Sequence, residues 1–148
     1  MRLVACRYAV VQFAPYRETG EFANAGVVLM CPATGYFGFK LQTRRTKRIT
    51  DFFDELPRNF YLRAVKAKED ELQRVAGVVA KAPETERAAY LRQVFDSLIH
   101  PREAVVRFSA PRAVMTADPA AELARQFEHC VERAFATPEY VEKAMEKR

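Results

Sequence analysis

"GEFANAGVVLMCPATGYFGFKL", residues 20–41, decides the fold. It holds two apolar segments, residues 22–31 and 36–41, joined by Pro32-Ala33-Thr34-Gly35. A four-residue connection with Pro early and Gly last predicts a type I turn closed by a left-handed glycine. In the second segment Phe37, Phe39 and Leu41 share one parity and face one side of a sheet. Upstream, "LVACRYAVVQF" (residues 3–13) is rich in β-branched and aromatic residues and apolar on both parities, which suits a strand covered on both faces. Between them "APYRETGE" reads as the loop of a hairpin. The chain therefore opens with a three-stranded antiparallel meander.

After the meander the apolar period changes from two to that of a helix. Ile49, Phe52, Phe53 and Leu56 fall at i, i+3, i+4 and i+7, a short helix closed by Pro57. Tyr61, Val65, Leu72, Val75 and Val79 form a longer stripe, interrupted by Lys68. Ala88, Leu91, Phe95 and Leu98 form another that stops before His100-Pro101, so two packed helices are expected. Strand character returns at Val105, Val106 and Phe108 and again at Val114 and Met115. Because Pro111 cannot donate to a ladder, these predict one or two short strands at the sheet edge. Asp118-Pro119 is an N-cap followed by the preferred first helical residue, and Thr137-Pro138 repeats the device. The penultimate helix carries Leu123, Phe127, Cys130, Val131, Ala134 and Phe135 on one wide face; the last offers only Tyr140, Val141, Ala144 and Met145. The expected class is α+β: the meander extended by the later short strands, packed against several helices, with a helical C-terminus. One domain over residues 1–148 is expected, with sheet and helical hairpin in 1–116 and C-terminal helices in 117–148.

Composition narrows the function classes. The chain has 148 residues, 49% of them hydrophobic, with 11 Phe and 6 Tyr, enough for a single core. No biased tract or 20–50-residue period is present, which excludes disordered and solenoid classes. No apolar run approaches a membrane span or the core of a signal peptide, so a cytoplasmic protein without a membrane partner is expected. Cys6, Cys31 and Cys130 lack zinc-ribbon spacing and fit buried thiols. His129 and Cys130, adjacent on a helix, point about 100° apart. Neither a metal nor a cofactor is expected. The net charge of +5 is uneven: residues 1–50 hold eight basic side chains and two acidic ones.

Two sets of residues stand out. Glu21, Asn24 and Gly26 lie where a strand would prefer apolar, branched residues. In a regular strand Asn24 and Gly26 share one face, and Glu21 joins Asn24 only across a bulge or turn. The structural reading is that Asn24 ties down the preceding loop and Gly26 makes room for a helix; the alternative is a ligand site. The second set is "KLQTRRTKR" (residues 40–48), where Lys40, Arg44, Arg45, Lys47 and Arg48 form a cluster able to neutralise phosphates. It lacks interleaved aromatics that would stack on bases. No hydrolase, nucleotide-loop or metalloprotease motif is present.

The string "YAVVQFAPYRETGEFANAGVVLMCPATGYFGF" (residues 8–39) resembles a bacterial family, domain of unknown function 3037, with its Gly-Glu-x-x-Asn-x-Gly-Val-Val-Leu pattern. The resemblance extends through the basic segment to "VVRFSAPRAVMTADPAAEL" (residues 105–123). It implies no catalytic residues, but it does imply association with a kinase-like protein of the HipA type. Three functions follow as expectations. The first is a non-enzymatic accessory or interaction module whose last helices dock on a protein partner such as that kinase. The second is a nucleic-acid binding or processing protein using the basic segment; the third is an enzyme with a site at Glu21 and Asn24.

Overall fold

The computed structural model describes residues 2–133 and 136–146. The meander is present as expected: β1 (Val4–Phe13), β2 (Ala23–Cys31) and β3 (Tyr36–Leu41) pair antiparallel in that order. Gly35 takes a left-handed φ of 73°, and its N–H donates to the Pro32 carbonyl at 3.3 Å, so the Pro-to-Gly connection closes as its residues dictate. The hairpin loop between β1 and β2 contains one 3-10 turn, Arg17–Thr19, ended by Gly20 at φ 77°.

The far edge of β1 takes both later strands. β4 (Val106–Phe108) pairs with its second half and β5 (Arg112–Thr116) with its first. Pro111 lies in the break between them, where no ladder bond is needed. Ser109 bridges that break: its N–H donates to the Val10 carbonyl at 2.8 Å, and its hydroxyl accepts from Val10 N–H at 2.8 Å. The result is a five-stranded antiparallel sheet, with helices packed on both of its faces.

One face is covered by α1 (Lys47–Phe52), α2 (Arg58–Lys81) and α3 (Arg87–Leu98). Tyr61, Val65, Leu72 and Val79 of α2 and Leu91, Phe95 and Leu98 of α3 are buried there, the stripes the periodicity marks. They meet Ala9, Val11 and Phe13 of β1 and Val28 and Met30 of β2. Phe13 stands edge-on to Phe53 at 5.4 Å and to Tyr61 at 5.0 Å between ring centroids. Each such pair contributes about 0.5–1.5 kcal/mol beyond its buried area. Lys68, which interrupts the α2 stripe, lays its ammonium 5.3 Å from the Phe108 ring and pairs with Glu71. The spacing places Phe52 on the buried stripe; instead it is 56% exposed, because α1 ends at that residue and Phe53 takes the core position.

The opposite face carries a smaller core: Cys6, Tyr8, Val27, Leu29 and Cys31 from the strands meet Leu123, Phe127 and Val131. The last three come from α4 (Pro119–Phe127) and the π-helical turn that continues it (Glu128–Glu132). Asp118 caps α4 by accepting from Ala121 N–H at 3.2 Å, and Pro119 follows it. Ala134 and Phe135, expected on the same apolar face, lie outside the described residues. α5 (Pro138–Glu146) follows Thr137, whose hydroxyl accepts from Tyr140 N–H at 3.2 Å, and it buries no residue. No described helix is long and apolar enough to cross a membrane.

Candidate functional site

The site is assembled at β2, where the regular strand pattern fails. Val11 pairs with Gly26 but Gln12 pairs with Asn24, so Ala25 is an extra residue in β2. This bulge reverses the parity. Ala23, Ala25 and Val28 all belong to the larger core, whereas Asn24 is turned to the α4 face. Asn24 and Gly26 therefore do not share a face, as a regular strand would require. A Cβ on Gly26 would lie 2.6 Å from the Lys40 carbonyl oxygen and against the Leu41 side chain, so the glycine makes room for β3, not for a helix.

Asn24 does not hold the preceding loop. Its Nδ2 donates to the Cys130 carbonyl at 3.1 Å, and Arg48 at the start of α1 donates to the neighbouring Val131 carbonyl at 2.8 Å. Carbonyls in the last turn of a helix have no partners within it, and a guanidinium there also favours the helix dipole. Two residues from separate sequence hypotheses thus converge on one structure, the end of the π-helical turn. Glu21, by contrast, is exposed, its N–H donating to the Thr19 hydroxyl at 3.1 Å, and it does not line the cleft beside Asn24.

This turn departs from low-energy structure in several ways at once. It is π-helical, and Arg133, which ends it by donating its N–H to the Glu128 carbonyl, is left-handed at φ 56°. Glycine or asparagine is the usual residue in that conformation. Asn24 Oδ1 is shut away from solvent without a hydrogen-bond partner. Arg48 and Arg133 are near enough to repel: desolvation first, then the Arg133 charge, holds the Arg48 guanidinium below its ordinary value. Such departures cluster where a protein binds or switches.

Cys130 lines two of the clefts beside the turn. The smaller, about 360 Å³, is walled by Phe22, Asn24, Arg48, Phe52, Cys130 and Arg133. The larger, about 570 Å³, is walled by Tyr8, Arg112, Glu122, Arg125, His129 and Cys130 among others. Its charges are mutually balanced. Glu122, only 6% exposed, accepts from Arg125 and Gln126. Burial pushes its carboxyl up, but those hydrogen bonds and the Arg125 charge outweigh burial and leave it below the usual range. The sequence reading missed Glu122; its signal was a carboxylate beside the α4 apolar stripe with Arg and Gln three and four residues on.

Burial keeps two of the three thiols protonated. Cys6 is pushed up to about 12 by burial, then by contact with Cys31. Burial also raises Cys130, outweighing the nearby Arg112. Among the described residues no three of His, Cys, Asp and Glu gather as a metal site requires.

The basic segment is not one uniform surface. Lys40 lays its ammonium 4.7 Å from the Phe127 ring, Lys47 pairs with Asp51 at 2.7 Å, and Arg48 holds the turn. Arg44 and Arg45 are exposed. A second small cleft, about 340 Å³, joins Arg45, Lys47 and Arg48 to Val131 and Glu132.

The family model for proteins of unknown function DUF3037 matches residues 8–131. The chain belongs to this family. No curated protein and no solved structure matches it. The DUF3037 match spans most of the sheet, the helical hairpin and α4, and it contains Asn24, Arg48 and the two carbonyls they hold. Arg133 and α5 lie beyond it.

Proposed function

We propose that this DUF3037 protein is a non-enzymatic interaction module of the cytoplasm that docks a protein partner through α5. The observation that carries this reading is the helix itself. Its sequence is amphipathic, yet none of its residues is buried; Val141 is 47% and Met145 69% exposed. An isolated helix of nine residues is marginal in water, and most helical stability comes from packing an apolar face. A partner that covers Val141, Ala144 and Met145 supplies that packing. The resemblance of the sequence suggests a HipA-like kinase for the role.

The test is affinity purification of the tagged protein from its native host, alongside a Val141→Asp/Met145→Asp variant. The expected result is a stoichiometric kinase-like protein with the unaltered chain, its loss with the variant, and equal thermal stability of the two. No stoichiometric protein, or one held equally by the variant, contradicts the reading.

A second reading, binding of nucleic-acid phosphates, is supported by the exposed Arg44 and Arg45 beside Lys47. Replacing these three by Glu leaves Arg48 and the turn intact. That change is expected to abolish salt-sensitive binding to single strands; absence of such binding by the unaltered protein at low salt removes this reading.

A further inference from the structure

We infer that the cleft between β2, α1 and the π-helical turn is a binding site for one nucleotide unit, with the phosphate at Arg48 and Arg133 and the base against Phe22 and Phe52. This goes beyond the docking of α5 and does not depend on it.

Charge is the first argument. Arg48 and Arg133 line the cleft together, no carboxylate is among the described residues lining it, and neither guanidinium makes an ion pair among the described residues. The larger cleft on the other side of Cys130 balances its arginines with Glu122 and Glu128. Two uncompensated guanidiniums at one wall fit a phosphate, whose oxygens accept from both forks. Desolvation first, and then the Arg133 charge, hold the Arg48 guanidinium below its ordinary value; an anion between the two side chains offsets the second of these.

The second argument is the aromatic wall. Phe22 is 44% and Phe52 56% exposed, although each adjoins a residue that is buried. Arg107 lies 5.4 Å from the centroid of the Phe22 ring, and Phe53 stands edge-on to Phe52 at 4.8 Å, so both rings are oriented by neighbours. Exposed aromatic rings beside cationic groups are what a base needs for stacking. An inorganic anion has no use for these rings. An acidic peptide would use the arginines without requiring a flat face. The cleft's 360 Å³ is within the range of small-molecule sites.

The third argument is backbone strain. Arg133 reaches the cleft from a left-handed position ending a π-helical turn, where glycine would fit without strain. An arginine at that cost is explained when its side chain binds something.

The experiment is isothermal titration of the full chain with AMP, GMP, CMP and UMP. Inorganic phosphate, hexaglutamate and a short single-stranded oligoribonucleotide are run beside them. Three variants accompany the unaltered chain: Phe52→Ala, Phe52→Tyr and Arg133→Gln. Both positions are exposed, so folding is checked by circular dichroism and is expected to be unchanged. Saturable one-to-one binding of at least one mononucleotide is expected. Phe52→Ala and Arg133→Gln each weaken it about tenfold, and Phe52→Tyr retains it. An Arg44→Glu/Arg45→Glu variant is expected to lose strand binding through the outer basic surface while keeping the mononucleotide. Failure of that surface and failure of the cleft are thereby told apart.

If only the oligoribonucleotide binds, and Phe52→Ala and Arg133→Gln release it, the nucleotide unit comes from a strand and the inference holds. Four outcomes overturn it: no binding of any nucleotide or strand; binding undiminished in both weakened variants; inorganic phosphate bound as tightly as a mononucleotide; or hexaglutamate bound as tightly, with the same dependence on Arg133.

Discussion

The two faces of the sheet are built to different standards. The face under α1, α2 and α3 is apolar and dense in aromatic contacts, with Phe13, Ile49, Leu72, Leu91 and Phe95 almost wholly buried. The face under α4 buries fewer side chains and includes the carboxylate of Glu122. It ends in a π-helical turn held by Asn24 and Arg48, with clefts beside it. One face supplies stability. The other carries strain and unbalanced charge, and the inferred nucleotide site rests on it.

Truncation within each core gives the widest separation. Phe95→Ala on the first face is expected to cost about 3–5 kcal/mol, and Leu123→Ala on the second about 2 kcal/mol. Urea unfolding measures both. Equal costs would mean that the smaller core supports the fold as much as the larger one does.

Gly26 sits between the faces. Gly26→Val places a side chain against the Lys40 carbonyl and is expected to cost about 3 kcal/mol by forcing β2 and β3 apart. Gly77→Ala in α2, where an added Cβ meets nothing within 4 Å, is expected to stabilise by about 0.5–1 kcal/mol. A Gly26 variant as stable as the unaltered chain would show that this close approach is not needed.

These contrasts follow what was legible in the sequence. Local signals were read correctly because their physics is local: the Pro32-to-Gly35 turn, the α2 and α3 stripes, and the Asp118 cap each involve residues a few positions apart. The family match to DUF3037 agrees with the residues that suggested it. The site was legible only in part. Asn24 and Arg48 stood out, but their partners lie 106 and 83 residues away, and no spacing rule connects them. The bulge at Ala25 was legible only as one of the two usual meanings of a strand glycine, the other being a close backbone approach, because Asn-Ala-Gly alternates as a regular strand would. The π-helical turn and the left-handed Arg133 carried no signal, since Glu-His-Cys-Val-Glu-Arg contains no helix breaker.

Smaller effects sharpen the second face. Asn24→Ala removes one hydrogen bond to the turn and is expected to cost about 1 kcal/mol.

Glu122→Gln is expected to cost about 1 kcal/mol at neutral pH, because Arg125 is largely exposed and screened. The folded carboxyl lies below its unfolded value. Its contribution is therefore present above the unfolded carboxylate range, about pH 4.3, and is lost as pH falls through the folded value. The gap between the unaltered chain and the Gln variant should close on acidification. A gap that widens would contradict the assignment of Arg125 and Gln126 as its partners.

The central claim is that the strain at the end of the π-helical turn is retained for binding. Arg133→Gly tests it in one protein, by a thermal melt and a nucleotide titration. Glycine adopts the left-handed conformation freely, so the melt is expected to rise by about 3 °C, equivalent to about 1 kcal/mol. Nucleotide binding is expected to weaken about tenfold as the guanidinium is lost. A variant that is no more stable, or that binds as tightly as the unaltered chain, would contradict the account.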